Sequence, residues 1–470
     1  MDKSLLPRIE EYLAAHRQEM VDNLKALVSI PSVSQEAGGA HPFGDGCAQV
    51  LDKALEIARA KGLTTTNHDY YYGTACYGQG DKTIGVFAHL DVVPEGNDWM
   101  YAPYQPVEKD GWLIGRGSAD NKSAAIAGIY IAHCLQTLGL PLRSRISLFL
   151  GCNEEKGMQD IERYAKEQPM PDFSIVPDTH FPVCHGEKGI LEADFRCPTP
   201  FTTITGFQGG LASNMVPDRA TATLACDEAT AQAALDHAAA HSDIAASYND
   251  GLLTFTATGV SAHAAYPTGS RSAIGMLARL LLDCPGVSES DRATMAFVAK
   301  TLSDNHGQAM GIAFSDEPSG KLTCISGLAR LVDGCLELNF NIRYPVTHKG
   351  ELVIAGICGY FAALGWQETG CHDSGPAYLP KDDPKVVQLC DIYHQLTGKD
   401  ATPYVMGGGT YSRHLRNAIG FGMESDRETP LPAGHGGVHQ PDEALYIDDM
   451  LEAIKIYVMS MLEIDQVLHS

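Results

Sequence analysis

The apolar positions of this chain fall into two textures. In the first, short runs of β-branched and aromatic residues end in charged ones. Residues 83–88, Thr-Ile-Gly-Val-Phe-Ala, lead into His89 and Asp91 and are stopped by Pro94; residues 146–150, Ile-Ser-Leu-Phe-Leu, lead into Glu154 and Glu155; residues 173–176, Phe-Ser-Ile-Val, lead into Asp178. Runs of this length bounded by turn residues predict buried strands. A fourth run, at 112–114, leads through Gly115 and Gly117 to Asp120, which the glycines allow the backbone to place at a strand-to-helix junction. Elsewhere apolar residues recur at helical spacing. Ile9, Tyr12, Leu13, Met20, Leu24 and Leu27 predict an opening helix over 4–29, with further helices over 46–60 and 122–138 and another strand over 69–77. Strands interleaved with helices predict an α/β domain with a central mixed sheet and helices on both faces, its chemistry at the C-terminal strand ends.

The second texture begins at Gly186. Alternating strands are expected over 189–196, 219–225, 252–258, 322–325 and 335–343, with helices over 228–241, 272–282 and 349–364. This pattern predicts an inserted α+β domain, residues 186–382, that splits the α/β domain into 1–185 and 383–470. Two passages of strand, helix and strand within it suggest a decayed internal duplication. A helix to residue 397, a strand over 418–423 and a closing helix over 447–462 return to the first texture.

Composition narrows the classes of function. With 470 residues, 44% hydrophobic and 20% charged, the chain has the makeup of a soluble globular protein with more than one core. A net charge of -24 argues against nucleic acid or an anionic membrane as partner, since both require basic patches. Thirteen cysteines form no Cys-x-x-Cys pair, the N-terminus has no apolar leader, and no run of 18 apolar residues occurs. Reduced thiols and a cytoplasmic location are expected.

Taken singly, the polar residues are ordinary: an Asp before a helix reads as an N-cap, and the loop residue His263 as an unremarkable histidine. Their repetition changes the picture, because four successive apolar runs end in His89/Asp91, Asp120, Glu154/Glu155 and Asp178. His89 and Asp91 share a strand face, as a ligand imidazole and the carboxylate that sets its tautomer would. Adjacent carboxylates point in different directions, so one of Glu154 and Glu155 can bind while the other acts as a base. The glycines of Met406-Gly-Gly-Gly-Thr-Tyr allow close backbone approach to a small ligand but lack the Lys-Ser/Thr of a nucleotide loop. His435 and His439 bracket two glycines and are not a helical pair.

The segments that carry these residues are His89-Leu-Asp-Val-Val-Pro, Gly115-Arg-Gly-Ser-Ala-Asp120-Asn-Lys, Asn153-Glu-Glu, Val176-Pro-Asp178, Gly259-Val-Ser-Ala-His263, Asn339-Phe-Asn-Ile-Arg343-Tyr-Pro, Gly407-Gly-Gly-Thr-Tyr and Gly437-Val-His439-Gln-Pro-Asp-Glu. In order and over nearly the whole chain, they resemble the co-catalytic metallopeptidases of the aminoacylase, carboxypeptidase and carnosinase clan, and within it the bacterial carnosinase-like dipeptidases of the dipeptidase V (PepV) type. The resemblance implies two divalent ions, one on His89, Asp120 and Asp178 and the other on Asp120, Glu155 and His439. Asp120 would bridge them, followed by a cis peptide to Asn121. It further implies Glu154 as general base, Asp91 as the group orienting His89, and His263 as the donor to the tetrahedral oxyanion. Asn214 and Arg343, with Gly408, Gly409 and Thr410, would contact the substrate, Arg343 holding its C-terminal carboxylate. The inserted domain would act as a lid. The oxygen and imidazole donors suit Zn²⁺ first, with Mn²⁺ or Co²⁺ as alternatives.

The expected activity is hydrolysis of unblocked dipeptides, Xaa-His among them, by a monomer, with a homodimer as the alternative. A deacylase or desuccinylase of N-acyl amino acids would use the same residues. A metal-dependent binding protein without activity is a third reading, and the spare base Glu154 speaks against it.

Overall fold

The computed structural model describes residues 1–36, 38–424 and 436–470, so His435, the first of the two late histidines, lies outside the described residues. These residues divide into two compact units. One comprises Met1–Gly186, Ala377–Tyr404 and Gly409–Ser470; the other comprises Glu187–Pro376 and Val405–Gly408.

In the first unit the apolar runs form adjacent strands. Thr83–His89 lies parallel between Arg145–Gly151 and Phe173–Val176, and Ala418–Gly420 continues the parallel set beside Phe173–Val176. Tyr72–Tyr77 and Thr64–His68 add an antiparallel margin beyond Arg145–Gly151, making the sheet mixed. Alternate residues of the same strands supply two different cores, as strand geometry requires. Ile84, Val86, Ile146, Leu148 and Ile175 join the helices Leu6–Val28, Asp45–Ala60, Lys122–Thr137 and Ile447–Leu468 on one face. Phe87, Phe149 and Val176 face the other way, onto Ile161 and Tyr164 of the helix Gln159–Glu167 and onto Tyr411. There Phe149 stacks at 5.1 Å between Tyr72 and Phe87 with Tyr164 edge-on at 5.2 Å, aromatic pairs that add about 0.5–1.5 kcal/mol each beyond area burial. The small residues of Lys122–Thr137 bring that helix close: a Cβ on Gly128 would meet Leu148 Cδ1 at 2.5 Å. Close seating of this helix places Asp120, just before it, at the C-terminal strand ends.

Three expectations are corrected. Residues 112–114 do not precede Asp120 as a strand of the central sheet; Trp112–Ile114 lies in a separate three-stranded sheet with Val107–Lys109 and Ala444–Tyr446. The reason is local. Asp110 and Gly111 both adopt positive φ, 52° and 83°, the backbone of a two-residue primed turn, and this folds the run into a hairpin. The strand expected over 69–77 begins at Tyr72, after a turn through Asp69 and Tyr70 at positive φ. The strand expected over 418–423 breaks at Gly422, φ 67°, into Ala418–Gly420 and Met423–Glu424.

The second unit is built on an eight-stranded antiparallel sheet covered by helices, with a separate two-stranded hairpin of Ser315–Asp316 and Gly320–Lys321. The order of the large sheet is Ile244–Asn249, Leu252–Thr258, Arg219–Ala225, Ile204–Gly209, Thr323–Val332, Cys335–Tyr344, Gly189–Arg196 and Gln367–Ser374. Buried and less buried residues alternate along Gly189–Arg196 and Arg219–Ala225, so one face is buried, under helices that include Ala273–Leu281 and Gly350–Ala362. Aspartate-glycine turns at 250–251 and 333–334 close two of its hairpins at positive φ. The turn at 333–334 lets the strand expected over 322–325 run on to Val332. Side-chain caps on Asp227, Ser272 and Ser288 start three of its helices.

Candidate active site

Thr83–His89 and Arg145–Gly151 are in register to their last residues, His89 opposite Gly151, so the groups that follow each strand emerge at one edge. The His89 ring is almost wholly buried, and Nδ1 donates to the backbone carbonyl of Asp91 at 2.9 Å. That contact keeps a proton on Nδ1 and directs Nε2 at Asp120 Oδ1, 2.9 Å away, with Asp178 Oδ2 at 3.8 Å. The other oxygen of Asp120 faces His439 Nε2 at 2.9 Å, and His439 Nε2 also meets Glu155 Oε1 at 3.1 Å. Asp120 therefore presents one oxygen to each of two histidines. Asp120 does not cap the helix: the N-cap is Asn121, whose side chain caps nothing. The Asp120–Asn121 peptide is cis.

The turn bearing Glu154 and Glu155 is held from below. Asp91 Oδ1 accepts the N–H of Glu154, and Oδ2 that of Glu155, both at 3.1 Å. Asp91 thus touches His89 mainly through its carbonyl, and its carboxylate, 3.5 Å from His89 Nδ1, secures the carboxylate pair. Asp160 Oδ2 accepts from the N–H groups of Cys152 and Asn153 at 2.7 and 2.8 Å. Glu154 gathers with His89 and Asp178, and Glu155 with His89 and Asp120; in each group the polar atoms lie within 4.8 Å of one another.

Residues outside the expected set complete this frame. Asn121 Nδ2 donates to Asp178 Oδ1 and to the Pro177 carbonyl, both at 2.9 Å, while its Oδ1 accepts the His89 N–H at 3.3 Å. Asn121, Asp160 and Glu443 received no role from the sequence. The available signal was position, since each lies within five residues of a candidate ligand or base, but only tertiary structure shows them buried. His439 itself has φ 64°, an uncommon conformation for a side-chain-bearing residue and one that recurs at functional sites.

The electrostatics favour positive charge. Burial opposes the His89 imidazolium, but Asp120 and Asp91 outweigh it and hold the pKa well above the usual histidine range. Hydrogen bonds that His439 donates to Asp120 and Glu155 push its pKa up to about 11. Burial raises the Glu154 carboxyl well above the ordinary range, with His89 opposing and Asp178, Glu155 and Asp91 reinforcing. Four acidic side chains and two imidazoles thus gather ligand atoms within a few ångströms of one another, an arrangement that divalent cations fit and that protons satisfy in their place.

In the second unit, Asn214 and His263 lie on neighbouring backbone segments. The Ala264 N–H donates to the Asn214 carbonyl at 2.8 Å, and Met215 bridges to His263. The Ala265 N–H donates to His263 Nδ1 at 3.2 Å, so the neutral ring carries its proton on Nε2. Burial and then the charge of Arg343 lower the His263 pKa, keeping the ring neutral. Arg343, 6% exposed, donates from Nε to Asn341 Oδ1 at 2.8 Å and from Nη1 to the Gly407 carbonyl at 3.0 Å. Gly408 belongs to this unit, whereas Gly409 and Thr410 belong to the first, where Thr410 Oγ1 caps the short turn Tyr411–His414 by accepting the Ser412 N–H at 3.2 Å.

The model of the peptidase family M20/M25/M40 matches residues 85–463. The Bacillus subtilis (strain 168) protein named "Putative dipeptidase YtjP" is 32% identical over 462 residues, covering 95% of this chain and 97% of that protein. The Beta-Ala-Xaa dipeptidase of Lactobacillus delbrueckii subsp. lactis is 28% identical over 473 residues, covering 97% and 98%. Human carnosine dipeptidase 1 shares the fold, with a TM-score of 0.56 at 16% identity over 98% of this chain and 99% of that one. A match that begins within the strand carrying His89 and ends within the closing helix takes in the whole acid and histidine cluster, and the chain belongs to peptidase family M20/M25/M40.

Proposed function

We propose that this metallopeptidase is a dipeptidase that hydrolyses unblocked dipeptides, with His89, Asp120 and Asp178 holding one divalent cation and Asp120, Glu155 and His439 a second. The observation that carries the reading is Asp120, whose two oxygens each lie 2.9 Å from a different histidine. Zn²⁺ is the first candidate and Mn²⁺ or Co²⁺ the alternatives for such donors. When bound, a cation pair polarises the scissile carbonyl and lowers the pKa of water toward neutrality.

The chain's own groups do the rest. Glu154 takes a proton from the attacking water and delivers it to the leaving amine, and a buried carboxyl with a raised pKa suits both transfers. Asp91 fixes the His89 tautomer and the direction of Glu154. The neutral His263 donates its Nε2 hydrogen to the developing oxyanion, and Arg343 pairs with the substrate carboxylate. Asn214, Gly408, Gly409 and Thr410 are assigned to contacts with the rest of the dipeptide. A cytoplasmic monomer is the setting of this reading. The 13 cysteines, free throughout, agree with a reducing compartment, and no helix among the described residues is long and apolar enough to cross a membrane.

The test is a panel of Ala-Ala, Leu-Gly, β-Ala-His, N-acetyl-Ala and N-succinyl-diaminopimelate, offered to chelated enzyme resupplied with Zn²⁺, Mn²⁺ or Co²⁺. Cleavage of the free-amine dipeptides alone, abolished by Glu154→Gln with cation content retained, is the expected result. Cleavage of only the acylated compounds would reassign the enzyme as a deacylase, and undiminished activity of Glu154→Gln would overturn the mechanism.

A further inference from the structure

Glu443 takes no part in the chemistry above, yet its carboxylate is fully enclosed (0% exposed) against the equally buried guanidinium of Arg116 (1%). Oε2 lies 2.6 Å from Arg116 Nη1. Oε1 accepts three backbone N–H groups in one short stretch: Gly117 at 3.1 Å, Ala119 at 3.0 Å and Asp120 at 3.0 Å. The Glu443 carbonyl receives the Gly115 N–H at 2.8 Å and the Ser118 hydroxyl at 3.2 Å. Arg116 reaches the other way, with Nη2 donating to the carbonyls of Glu95 at 3.3 Å and His439 at 3.4 Å.

One buried ion pair therefore holds Asp120 by its amide and His439 by its carbonyl, and these are the two residues whose side chains meet at 2.9 Å. Stability does not account for such a pair. Desolvation offsets much of its attraction, and apolar residues of similar volume often replace buried ion pairs without loss. What an apolar pair cannot do is collect three amides of the Asp120 segment on one oxygen while binding the His439 backbone. His439, held at positive φ, has most need of such an anchor.

We propose that Arg116 and Glu443 are positioning residues that set the separation of Asp120 and His439 and thereby the affinity of the cation bound by Asp120, Glu155 and His439. The inference rests on the two-cation reading above. It assigns the pair no contact with substrate or cation.

The test is titration of the chelated full-length chain with Zn²⁺ by calorimetry and by competition with a chromophoric chelator. Three proteins are compared: wild type, Glu443→Gln, and the double variant Arg116→Met with Glu443→Leu. Thermal melts and far-ultraviolet circular dichroism are recorded alongside. Wild type is expected to take up two ions. Glu443→Gln should bind the first at wild-type affinity and the second about 10–100-fold more weakly, the range for loss of a group that supports metal ligands. The double variant keeps the volume and removes the buried charges, so it decides the matter if Glu443→Gln does not fold. Two ions at wild-type affinities in either variant would overturn the positioning role. Uptake of fewer than two ions by wild type would instead overturn the two-cation reading beneath it.

Discussion

The hydroxyl of Tyr411 donates to Asp160 Oδ2 at 2.5 Å, tying the loop after the three glycines to the turn that carries Glu154 and Glu155. The contact is tight enough that a Cβ on Gly151 would lie 1.9 Å from the Tyr411 oxygen and 2.5 Å from Asp160 Oδ2. Tyr411→Phe removes a donor from a fully buried carboxylate and should lower the unfolding free energy by about 1.5–3 kcal/mol. Urea denaturation checks this, and a loss below 0.5 kcal/mol would show that the tie is slack. Gly151→Ala should be at least as damaging, because the methyl group has no space without breaking the same hydrogen bond.

Asp91 has two oxygens, and each accepts one N–H of the Glu154–Glu155 pair at 3.1 Å. In Asp91→Asn an amide nitrogen must face one of these N–H groups, so the turn loses a hydrogen bond and gains a repulsion while the strand stays intact. The expected outcome is a fall in kcat of about 10–100-fold with cation content unchanged. Steady-state kinetics together with metal analysis would detect it, and a wild-type kcat would remove Asp91 from the mechanism.

Removal of the cations should be felt as lost stability as well as lost turnover. Without them, Asp120, Asp178, Glu154 and Glu155 stand close together around His89 and His439 with only protons to relieve the crowding. A cation at about 100 times its Kd adds about 2.7 kcal/mol per site. Chelated protein should therefore melt at a lower temperature and recover on addition of Zn²⁺, Mn²⁺ or Co²⁺. Full activity that survives exhaustive chelation would refute metal dependence.

In the second unit Asp291 joins a helix start to a strand start. Its N–H is capped by the Ser288 hydroxyl, and its carboxylate accepts from the N–H groups of Thr202, Thr203 and Ile204 and from the hydroxyls of Thr202 and Thr203. Burial opposes ionisation, but the hydrogen bonds prevail and hold the pKa down at about 2. A carboxyl depressed in the folded state contributes stability that is complete above its unfolded value near 3.8 and is lost as pH falls through 2. The protection factors of the Thr203 and Ile204 amides, exchange rates corrected for the intrinsic pH dependence, should therefore fall as pH drops through that window and hold steady above about pH 5. Asp291→Ala should abolish the pH step and reduce stability by about 2–4 kcal/mol. An unchanged step in the variant would assign it to another group.

Much of the first unit was legible in the sequence because strand formation there depends on local apolar runs. Thr83–His89, Arg145–Gly151 and Phe173–Val176 are buried on both faces, and a continuous apolar run followed by an acid or histidine is the direct signature of such strands. Trp112–Ile114 was misplaced because its run resembles the others. The deciding feature was the Asp110-Gly111 turn, whose conformation sends the strand back against Val107–Lys109.

By itself the sequence determined which residue types stand at the strand ends, and so the acids and histidines that suit divalent cations. Tertiary structure alone decided how they are held. Asp120 faces His89 and His439 across 31 and 319 positions of chain, and Asp160, Asn121, Arg116 and Glu443 act through hydrogen bonds to backbone groups. Any residue's amide or carbonyl can supply such a bond, so it leaves no mark on the identity of its partner. Residue type records what a side chain can do, and only the folded chain records which backbone group it meets.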